Sequence, residues 1–502
     1  MVADNTPIIV GSSQLVDREA TIERHSEPLA MLTNSAKTAA QDAGITESAL
    51  AGVDTVALVG VSGWNPQNAP GLLAEQLQAK PNHLFSTGVG GQMGVQLTNY
   101  IGERILAGES EFATIGGCNN LRVLLKAIAQ KTRLQWTRGG TGTPDQVGGD
   151  EPGNNDLENK YGLNGPTDIY PIFENAFRAK LGLSIDQHKA HMGSLFSKFT
   201  EVAEQNPYAW FPTRRSSEEL TKVTQLNRMI AWPYPKYLNA VLNTEQAATL
   251  IMMSAGKARK LGIPEDKWVY WLGGASSQEK AWWASERPDF AECPSMKDTL
   301  VSSLENSATS IEELDYIDFY SCFPIAVEMA CAMSGLDISD KRGFTVTGGL
   351  PYAGGPASAY TLHSLATLVN KLRGKTSEKG LVTGNGWYLT KHAAAVLSSD
   401  PHVDSPKAGL IADLPSLGMN TDACIVNEKV KGSATIEAYT VKYDRDGSPD
   451  KGIVLGRTDE GERFMSNTID DQAFLSDFVS AERVGTRGTV NYVAGSSLFT
   501  PD

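Results

Sequence analysis

Two polar segments of this 502-residue chain contain side chains that could act as a nucleophile and a base. Cys322 follows a predicted strand and precedes a predicted helix, and a helix N-terminus favours the thiolate form of a cysteine. His392 follows a glycine-rich turn and could activate such a thiolate if the fold brings the two together. A buried thiol that only packs in the core is the alternative interpretation of Cys322, and the sequence leaves both open.

The seven histidines do not predict a metal site. Only His188 and His191 lie close together, and their spacing places them on one face of a predicted helix. No carboxylate or cysteine pattern joins them in the sequence. We therefore expect a solvated helix face there and no bound metal.

Four glycine-rich turns stand at predicted junctions between strands and helices. None has the spacing of a dinucleotide-binding or P-loop motif, and each alone is explained by the backbone freedom of glycine. Four such turns in one α/β protein favour a ligand crevice at the carboxyl ends of strands, where helix N-termini offer N–H groups to an oxyanion or a phosphate. The turns are Gly88–Gly91, Thr347–Leu350, Ala353–Pro356 and Thr383–Gly386.

The composition limits the class of protein. Hydrophobic residues make up 41% of the chain and charged residues 20%, which is typical of a globular protein. The net charge of −14 argues against nucleic acid or an anionic membrane as a partner of the whole surface. No apolar run is long enough to span a bilayer, and no secretory signal is visible at the N-terminus. The five scattered cysteines lack CxxC spacing, so we expect reduced thiols and a cytoplasmic location.

Strands alternate with helices over most of the chain, which predicts an α/β fold with a mostly parallel sheet. Two similar halves separated by an insertion of helices and loops indicate internal duplication. Within the return from the insertion, Glu245–Leu261 is predicted to be one helix that ends at Gly262. The predicted regions are a first half over 1–120 and 241–275, an insertion over 121–240, a second half over 276–405 and a C-terminal β domain over 406–502.

The C-terminal region has a different pattern from the rest of the chain. Apolar and polar residues alternate over Ala434–Val441, and Asp446-Gly447 predicts a tight turn between strands. Short strands of this kind predict a small β-barrel. Its acidic residues make nucleic-acid binding there improbable, and a contact between domains or a role in acyl-substrate binding is the preferred interpretation.

Five segments, taken in order, resemble motifs of the thiolase superfamily over about residues 1–400. The resemblance is closest to sterol-carrier-protein-type thiolases and to bacterial proteins similar to acetyl-CoA acetyltransferase. It implies a duplicated fold of two βαβαβ halves in α/β/α/β/α layers, with a helical loop insertion and an added C-terminal barrel similar to an oligonucleotide-binding fold. The segments are Ile105–Gly117 (nucleophile helix and next strand), Ala231–Gly262 (return from the loop domain), Tyr320–Phe323 (NEAF or HDCF box), Gly348–Pro356 (GGxxxxGHP) and Gly384–Gly386 (CxG).

The same resemblance places the reactive positions of a thiolase on glycines of this chain. A thiolase uses a nucleophilic cysteine, a histidine that lowers the pKa of that cysteine, and a second cysteine that moves a proton in Claisen condensation. The matching positions are Gly91 (or Gln92 after a register shift of one), Gly355 and Gly384, and Tyr320 replaces the Asn or His that opens the NEAF or HDCF box. Without a thiolate there is no acyl-enzyme, so ordinary thiolase activity is not expected.

Two functions stay open from the sequence. In the first, the chain is an acyltransferase-family protein that handles acyl-CoA thioesters by an altered mechanism, such as direct acyl transfer, C–C cleavage or hydrolysis. The side chains that would then act are those of Tyr320, Cys322, Asn385 and His392. In the second, it is a non-catalytic binder of CoA thioesters, or a subunit that lends its scaffold to a partner.

The resemblance also implies how coenzyme A would bind. In this family CoA lies against the loop domain, and basic and aromatic side chains there suit phosphates and adenine. The candidates are Arg214, Arg215, Arg228, Lys236 and Trp210, with an ordinary solvated surface as the alternative. We expect no tightly bound cofactor, a CoA thioester of lipid metabolism as substrate or cosubstrate, and a homodimer by family resemblance unless the insertion and barrel leave a monomer.

Overall fold

A computed structural model describes residues 2–149, 151–401, 406–409 and 423–502. The first part of the chain alternates strands with helices, as the sequence predicts. Its strands are β1 (Pro7–Val16), β2 (Thr55–Leu58), β3 (His83–Thr87) and β4 (Phe112–Asn120). Its helices are α1 (Pro28–Asp42), α2 (Ala69–Gln76), α3 (Met93–Leu106) and α4 (Leu121–Ala129).

The middle of the chain is mostly helical. It contains one short strand that joins the first sheet, then four helices, then two very short strands. These elements are β5 (Asp145–Val147), α5 (Asp156–Tyr161), α6 (Pro166–Leu181), α7 (Ile185–Gln205), α8 (Ser217–Thr221), β6 (Met229–Ala231) and β7 (Tyr234–Pro235). The long helices have clear sequence boundaries, because α6 ends at Gly182 in the left-handed conformation and a capping box between Ser184 and Gln187 starts α7.

The chain then returns to the sheet and builds a second α/β half. Its strands are β8 (Glu245–Ser254), β9 (Val269–Gln278), β10 (Tyr316–Asp318), β11 (Lys379–Gly386), β12 (Lys391–Ser398) and β13 (Lys407–Gly409). Its helices are α9 (Ala255–Lys260), α10 (Pro294–Asn306), α11 (Pro324–Ser334) and α12 (Tyr360–Leu372).

Residues 245–261 form a strand followed by a short helix, so the prediction of one helix is wrong. All ten residues of β8 are buried, and β8 pairs with β1 on one side and β4 on the other. A strand buried on both faces shows no alternation, and its apolar run cannot be distinguished from a buried helix by periodicity. Two neighbouring strands therefore decide the conformation against local helix propensity.

The order and sense of pairing repeat between the two halves. In the first half, β1 pairs antiparallel with β8, β8 antiparallel with β4, and β4 parallel with β2. In the second half, β9, β12, β11 and β10 repeat this series of pairings. A short β1–β9 pairing joins the halves, and β3 and then β5 extend the first half to its outer edge. The predicted duplication is confirmed.

Two helices form the middle layer of the molecule. Buried apolar residues of α3 and α12 pack together with buried residues from the strands of both halves. Helices α1 and α10 pack against β1 and β9 in a separate apolar cluster. Because α3 is enclosed in this way, the residues at its N-terminus are held by the core and not by a surface loop. No helix among the described residues is long and apolar enough to cross a membrane.

A closed five-stranded barrel forms the C-terminal part, as the sequence predicts. Its strands are β14 (Gly432–Tyr443), β15 (Pro449–Thr458), β16 (Arg463–Asn467), β17 (Arg487–Val493) and β18 (Ser496–Pro501), and α13 (Gln472–Phe478) packs on β15. The ring runs β14, β15, β16, β18, β17 and back to β14.

The barrel is joined to the helical region by a shared sheet. β14 pairs with β6 at Lys442 and Ala231, and β6 continues into β7. From α6, Asn175 Nδ2 donates to the carbonyl oxygen of Tyr439 at 2.9 Å, and the buried Arg178 forms an ion pair with Glu482 at 2.9 Å. The barrel thus packs on the insertion by backbone pairing as well as by side chains.

Candidate functional site

A crevice of about 270 Å³ opens where α3 begins. Gly90 and Gly91 precede α3, Tyr320 follows β10, and Asn385 lies near the end of β11. Three of the four glycine-rich turns contribute to this crevice. Its walls are mostly apolar and include Leu121, Ala240, Leu242, Phe323 and Leu350.

Gly91 has no room for a side chain. A Cβ atom at this position would lie 2.1 Å from the hydroxyl oxygen of Tyr320 and 2.4 Å from the carbonyl oxygen of Asn385. Tyr320 is held there because its backbone N–H donates to Thr383 Oγ1 at 2.9 Å and its ring meets the edge of the Tyr360 ring. The phenol therefore occupies the space next to the position that the resemblance assigns to a nucleophile.

The other two positions matched by resemblance differ in the space around them. A Cβ at Gly384 would lie 2.5 Å from the Cα of Gln92, so backbone blocks a side chain there. At Gly355 the nearest atoms would be 3.3 Å away, at Leu350 and at the carbonyl of Val241, which a small shift accommodates. Glycine is thus required by packing at two of the three positions.

Tyr170, which the sequence did not single out, connects the insertion to the crevice. Its hydroxyl accepts a hydrogen bond from Asn385 Nδ2 at 2.8 Å and donates to the carbonyl oxygen of Trp387 at 2.9 Å. Its ring stacks on Phe323 with centroids 4.4 Å apart. Nothing in the local sequence around Tyr170 links α6 to β11, so only the fold reveals this contact.

Cys322 lies in the crevice wall as a protonated thiol. Burial raises its pKa to about 12, although hydrogen bonds from Tyr170 and from backbone N–H groups act in the opposite direction. The thiolate that the sequence suggested at this helix entry is therefore not favoured at neutral pH. Desolvation of the charged form outweighs the helix N-terminus.

His392 is placed beside a different thiol. Its Nε2 lies 3.4 Å from the Sγ of Cys293, and the same Sγ lies 3.4 Å from Glu279 Oε1. Burial lowers the pKa of His392 to about 4, so the imidazole is neutral at pH 7. His392 therefore contacts Cys293 and not Cys322, the partner that the sequence suggested. Burial also raises the pKa of Cys293, so this thiol is protonated as well.

Two of the predicted CoA-binding arginines are engaged with neighbours on the insertion. The exposed Arg214 forms an ion pair with Glu201 of α7. The guanidinium of Arg215 lies 4.2 Å from the centroid of the Tyr237 ring. Both arginines would have to exchange these contacts for a phosphate.

The remaining predicted CoA-binding residues fall into two places. The backbone N–H of Lys236 donates to the carbonyl oxygen of Arg228 at 2.9 Å, so these two residues are neighbours. Trp210 is only 6% exposed, and the guanidinium of Arg122 lies 5.3 Å from its ring centroid. Trp210 is thus part of the packed interior, while Arg228 and Lys236 lie on the surface of the insertion.

Strained backbone and unpartnered polar atoms both occur at the crevice. Ala357 and Trp387 both line it with positive φ values, 48° and 54°, which are costly for residues with a side chain. The buried atoms Asn385 Oδ1 and Trp387 Nε1 have no hydrogen-bond partner among the described residues. Such features are typical of a ligand site.

A wider groove of about 860 Å³ lies elsewhere, between the end of α7 and α12. It contains none of the residues that the resemblance implicates in catalysis. We therefore assign the candidate site to the smaller crevice, where Gly91, Tyr320, Cys322 and Asn385 meet.

A buried cluster of ionisable groups lies among three helices, outside the crevice. Glu174 of α6, His188 of α7 and Glu328 of α11 are each at most 1% exposed, and Tyr234 donates a hydrogen bond to Glu174. The local sequence shows no carboxylate pattern around His188 and His191, because the carboxylates come from other helices. His188 is buried, so the predicted solvated face is wrong at that position.

The two carboxyl groups of this cluster differ in protonation. Burial raises the pKa of Glu174, but the charge of His188 and hydrogen bonds from His188 and Tyr234 outweigh burial, and the net shift is downward. Burial and the neighbouring charge of Glu174 raise the pKa of Glu328 well above its ordinary value. Like charges in one buried site cannot both ionise without a counter-charge.

Comparisons with known proteins agree with this fold. The domain family described as the additional C-terminal domain of thiolase-like protein type 1 matches residues 413–492. No curated protein sequence matches the chain. A crystal structure of a monomeric SCP2-thiolase-like protein type 1 from Mycobacterium smegmatis is 33% identical, with a TM-score of 0.84 and 100% of both chains covered.

Two more distant structures share the fold alone. An acetyl-CoA acetyltransferase from Syntrophomonas wolfei is 15% identical and covers 79% of this chain with a TM-score of 0.58. The dimeric peroxisomal thiolase of Saccharomyces cerevisiae is 12% identical and covers 80% with a TM-score of 0.57. The match covers 100% and 99% of these two chains. The part of the present chain that has no counterpart in them is therefore an addition to the thiolase fold. The chain belongs to the SCP2-thiolase-like proteins of type 1, thiolase-like proteins that carry an additional C-terminal domain.

Proposed function

We propose that the crevice binds the acyl part of a CoA thioester and that the chain forms no acyl-enzyme. The observation that carries this proposal is the position of Tyr320. Its hydroxyl lies where a side chain at Gly91 would begin, so a nucleophilic cysteine at that position would collide with the phenol. Thiolase chemistry needs such a cysteine.

The remaining reactive groups support binding more than turnover. Cys322 is a protonated thiol at neutral pH because burial raises its pKa to about 12. His392 lies against Cys293, and the raised pKa of that thiol leaves it protonated. Neither contact supplies the activated nucleophile that acyl transfer requires.

The crevice has features that suit a thioester. Apolar residues such as Leu242 and Leu350 would contact the acyl chain, and the unpartnered Nε1–H of Trp387 would donate a hydrogen bond to its carbonyl oxygen. The N-terminus of α3 lies at Gly91, where the helix dipole favours a partly negative oxygen. The phosphate groups of CoA would bind on the insertion, at Arg214, Arg215, Arg228 and Lys236. Ala240, at the end of the insertion, lines the crevice.

The test is a calorimetric titration of the full chain with CoA and with acetoacetyl-CoA, with release of free thiol measured in the same samples. We expect binding of both ligands and no thiol release. Thiol release above the uncatalysed rate would contradict the proposal and favour an acyltransferase of altered mechanism. Variants Tyr320→Phe, Cys322→Ala and His392→Gln would then identify the acting group. Absence of binding would also contradict it and leave only the fold.

Two variants separate the acyl part of the site from the phosphate part. Ala240→Trp reduces the crevice volume, so we expect about a tenfold or greater loss of affinity for acetoacetyl-CoA and little change for CoA. Lys236→Ala removes a phosphate partner, so we expect both ligands to bind more weakly. The matched controls are Ala129→Trp and Lys80→Ala, at exposed positions away from the crevice.

We also propose that the chain is a monomer, as the Mycobacterium smegmatis relative is described to be. The supporting feature is β5, whose three residues Asp145–Val147 pair with β3 and cover the outer edge of the first half-sheet. β3 is therefore paired on both sides at Phe85 and Ser86, and the edge that remains is the three-residue β5, which is too short for extended pairing with a second copy. Sedimentation equilibrium of the full chain tests this, and a dimer at micromolar concentration would contradict it.

A further inference from the structure

In the buried cluster, nitrogen and oxygen atoms that could ligate a metal ion come together from three helices. One ligand atom each from Glu174, His188 and Glu328 lies within 4.8 Å of the other two. His188 Nε2 touches Glu174 Oε1 and lies 3.9 Å from Glu328 Oε2. His191, one turn further along α7, brings its Nε2 to 3.7 Å from Glu328 Oε1. The rings of the two histidines stack, with centroids 5.6 Å apart.

Polar atoms of this group are not satisfied by the protein. Neither oxygen of Glu328 accepts a hydrogen bond from an N–H or hydroxyl group among the described residues, although the residue is 1% exposed and its carboxyl group lies against that of Glu174. The same holds for His191 Nε2 and for His188 Nδ1. Buried polar groups are nearly always paired, so four such atoms in one place indicate a missing partner.

The charges indicate what that partner is. Two carboxyl groups that lie together in one buried site cannot both ionise without a counter-charge, and a divalent cation would supply it. Tyr234 donates to Glu174, and the described chain has no lysine or arginine in an ion pair with either carboxylate. Imidazole nitrogens combined with carboxylate oxygens suit a first-row divalent metal such as Zn²⁺ better than Mg²⁺ or Ca²⁺, which prefer oxygen alone.

We propose that Glu174, His188 and Glu328 bind a divalent transition-metal ion of the Zn²⁺ class, with His191 as a fourth ligand. The ion ties α6, α7 and α11 together and does not depend on thioester binding in the crevice. Ligands at about 2.0–2.2 Å from a tetrahedral ion lie about 3.4 Å from one another. The distance of 3.9 Å between His188 Nε2 and Glu328 Oε2 is already close to this value. On binding, the contact between His188 and Glu174 opens, and His191, now 3.7 Å from the other oxygen of Glu328, moves towards the ion.

The fold provides room beside the cluster. His188 lines a cavity of about 130 Å³ together with Asp186, Lys189 and Met192 of the same helix. The side chain of His191 is 20% exposed, so the fourth ligand lies between the cluster and solvent. Open space thus borders the cluster at His188, and the partly exposed His191 borders it towards solvent.

The experiment uses the full chain freed of metal with a chelator and then titrated with Zn²⁺ by calorimetry. Co²⁺ serves as a spectroscopic probe, because its visible absorption reports four-coordination by nitrogen and oxygen. We expect one ion per chain, a Co²⁺ spectrum of four-coordinate type, and a higher melting temperature with Zn²⁺ than with the chelator. Glu328→Gln should weaken Zn²⁺ binding about 100-fold or more, since it removes one charged ligand and keeps the shape.

Controls make the outcome decisive. Glu204→Gln alters an exposed carboxylate at the end of the same α7 and should leave Zn²⁺ affinity unchanged. His191→Gln should weaken binding less than Glu328→Gln, and its partly exposed position keeps the fold intact if the buried variant fails to fold. The proposal is overturned if Zn²⁺ does not bind, or if Glu328→Gln and His191→Gln bind it as tightly as the parent chain does. In either case the carboxyl groups of Glu174 and Glu328 share a proton instead.

Discussion

The crevice and the buried cluster differ in the ionisable side chains that they contain. The three positions matched to thiolase chemistry are glycines, and at the one that lines the crevice, Gly91, a tyrosine fills the adjacent space. In the buried cluster, three ionisable side chains from three helices lie together away from solvent. Burial of charge is costly unless it is compensated, so the cluster, unlike the crevice, needs a specific counter-charge to be stable. Within one chain, the site expected from the fold and the strongest concentration of charge are thus different places.

The largest difference between the two regions should appear when His188 is removed. His188→Leu leaves two buried carboxyl groups without their basic neighbour, and breaking such a pair costs about 3–5 kcal/mol of unfolding free energy. Urea denaturation followed by circular dichroism measures this loss. The control Glu204→Gln should change the midpoint little. A loss below about 1 kcal/mol would mean that the histidine is not what compensates the carboxylates.

A side chain restored at the crevice should cost less, and the cost should depend on Tyr320. Gly91→Cys puts a Cβ 2.1 Å from the phenol oxygen, and overpacking of this kind costs about 1–3 kcal/mol of unfolding free energy. In a Tyr320→Ala background the same change should cost clearly less, because the obstructing ring is gone. A double-mutant cycle gives the coupling. Equal costs in both backgrounds would show that the Asn385 carbonyl, not Tyr320, excludes the side chain.

The smallest effect is a pH dependence at His392. Its pKa is lowered from 6.5 to about 4 by burial, so the unfolded chain binds more protons than the folded chain between these values. Stability from this group is therefore complete above pH 6.5 and falls as the pH drops towards 4, by up to about 1.4 kcal/mol per pH unit. His392→Gln should show a shallower decline than the parent between pH 6.5 and 5. Parallel curves would contradict the lowered pKa.

Local sequence was enough for much of the fold and for the position of the crevice. The strand β4 after α3, the glycine-rich turns and the alternation over Ala434–Val441 all have short-range signals, and each predicted the right element. The strand β8 was missed because a strand buried on both faces has no periodicity. Its pairing with β1 and β4 depends on segments far away in the sequence.

The sites were less predictable because their partners are distant. The ring of Tyr320 meets Gly91 only through the meeting of the two halves, and Glu328 reaches His188 from a helix of the second half. Spacing within a helix predicts that His188 and His191 share a face, but it contains no information about Glu174 or Glu328. Packing likewise sets whether a thiol such as Cys322 is acidic, because burial depends on the whole fold.

The pairing of β6 with β14 has a consequence for the order in which the protein is made. Ala231 of β6 leaves the ribosome about 200 residues before Lys442, its partner in β14. The barrel that holds β14 is closed only by β18, the last strand of the chain. At a synthesis rate of about 5–20 residues per second, β6 keeps an open edge for ten seconds or more. During translation the helical region therefore carries a short strand that stays unpaired on one side until β14 is made, and a chain truncated before β14 would keep that side open.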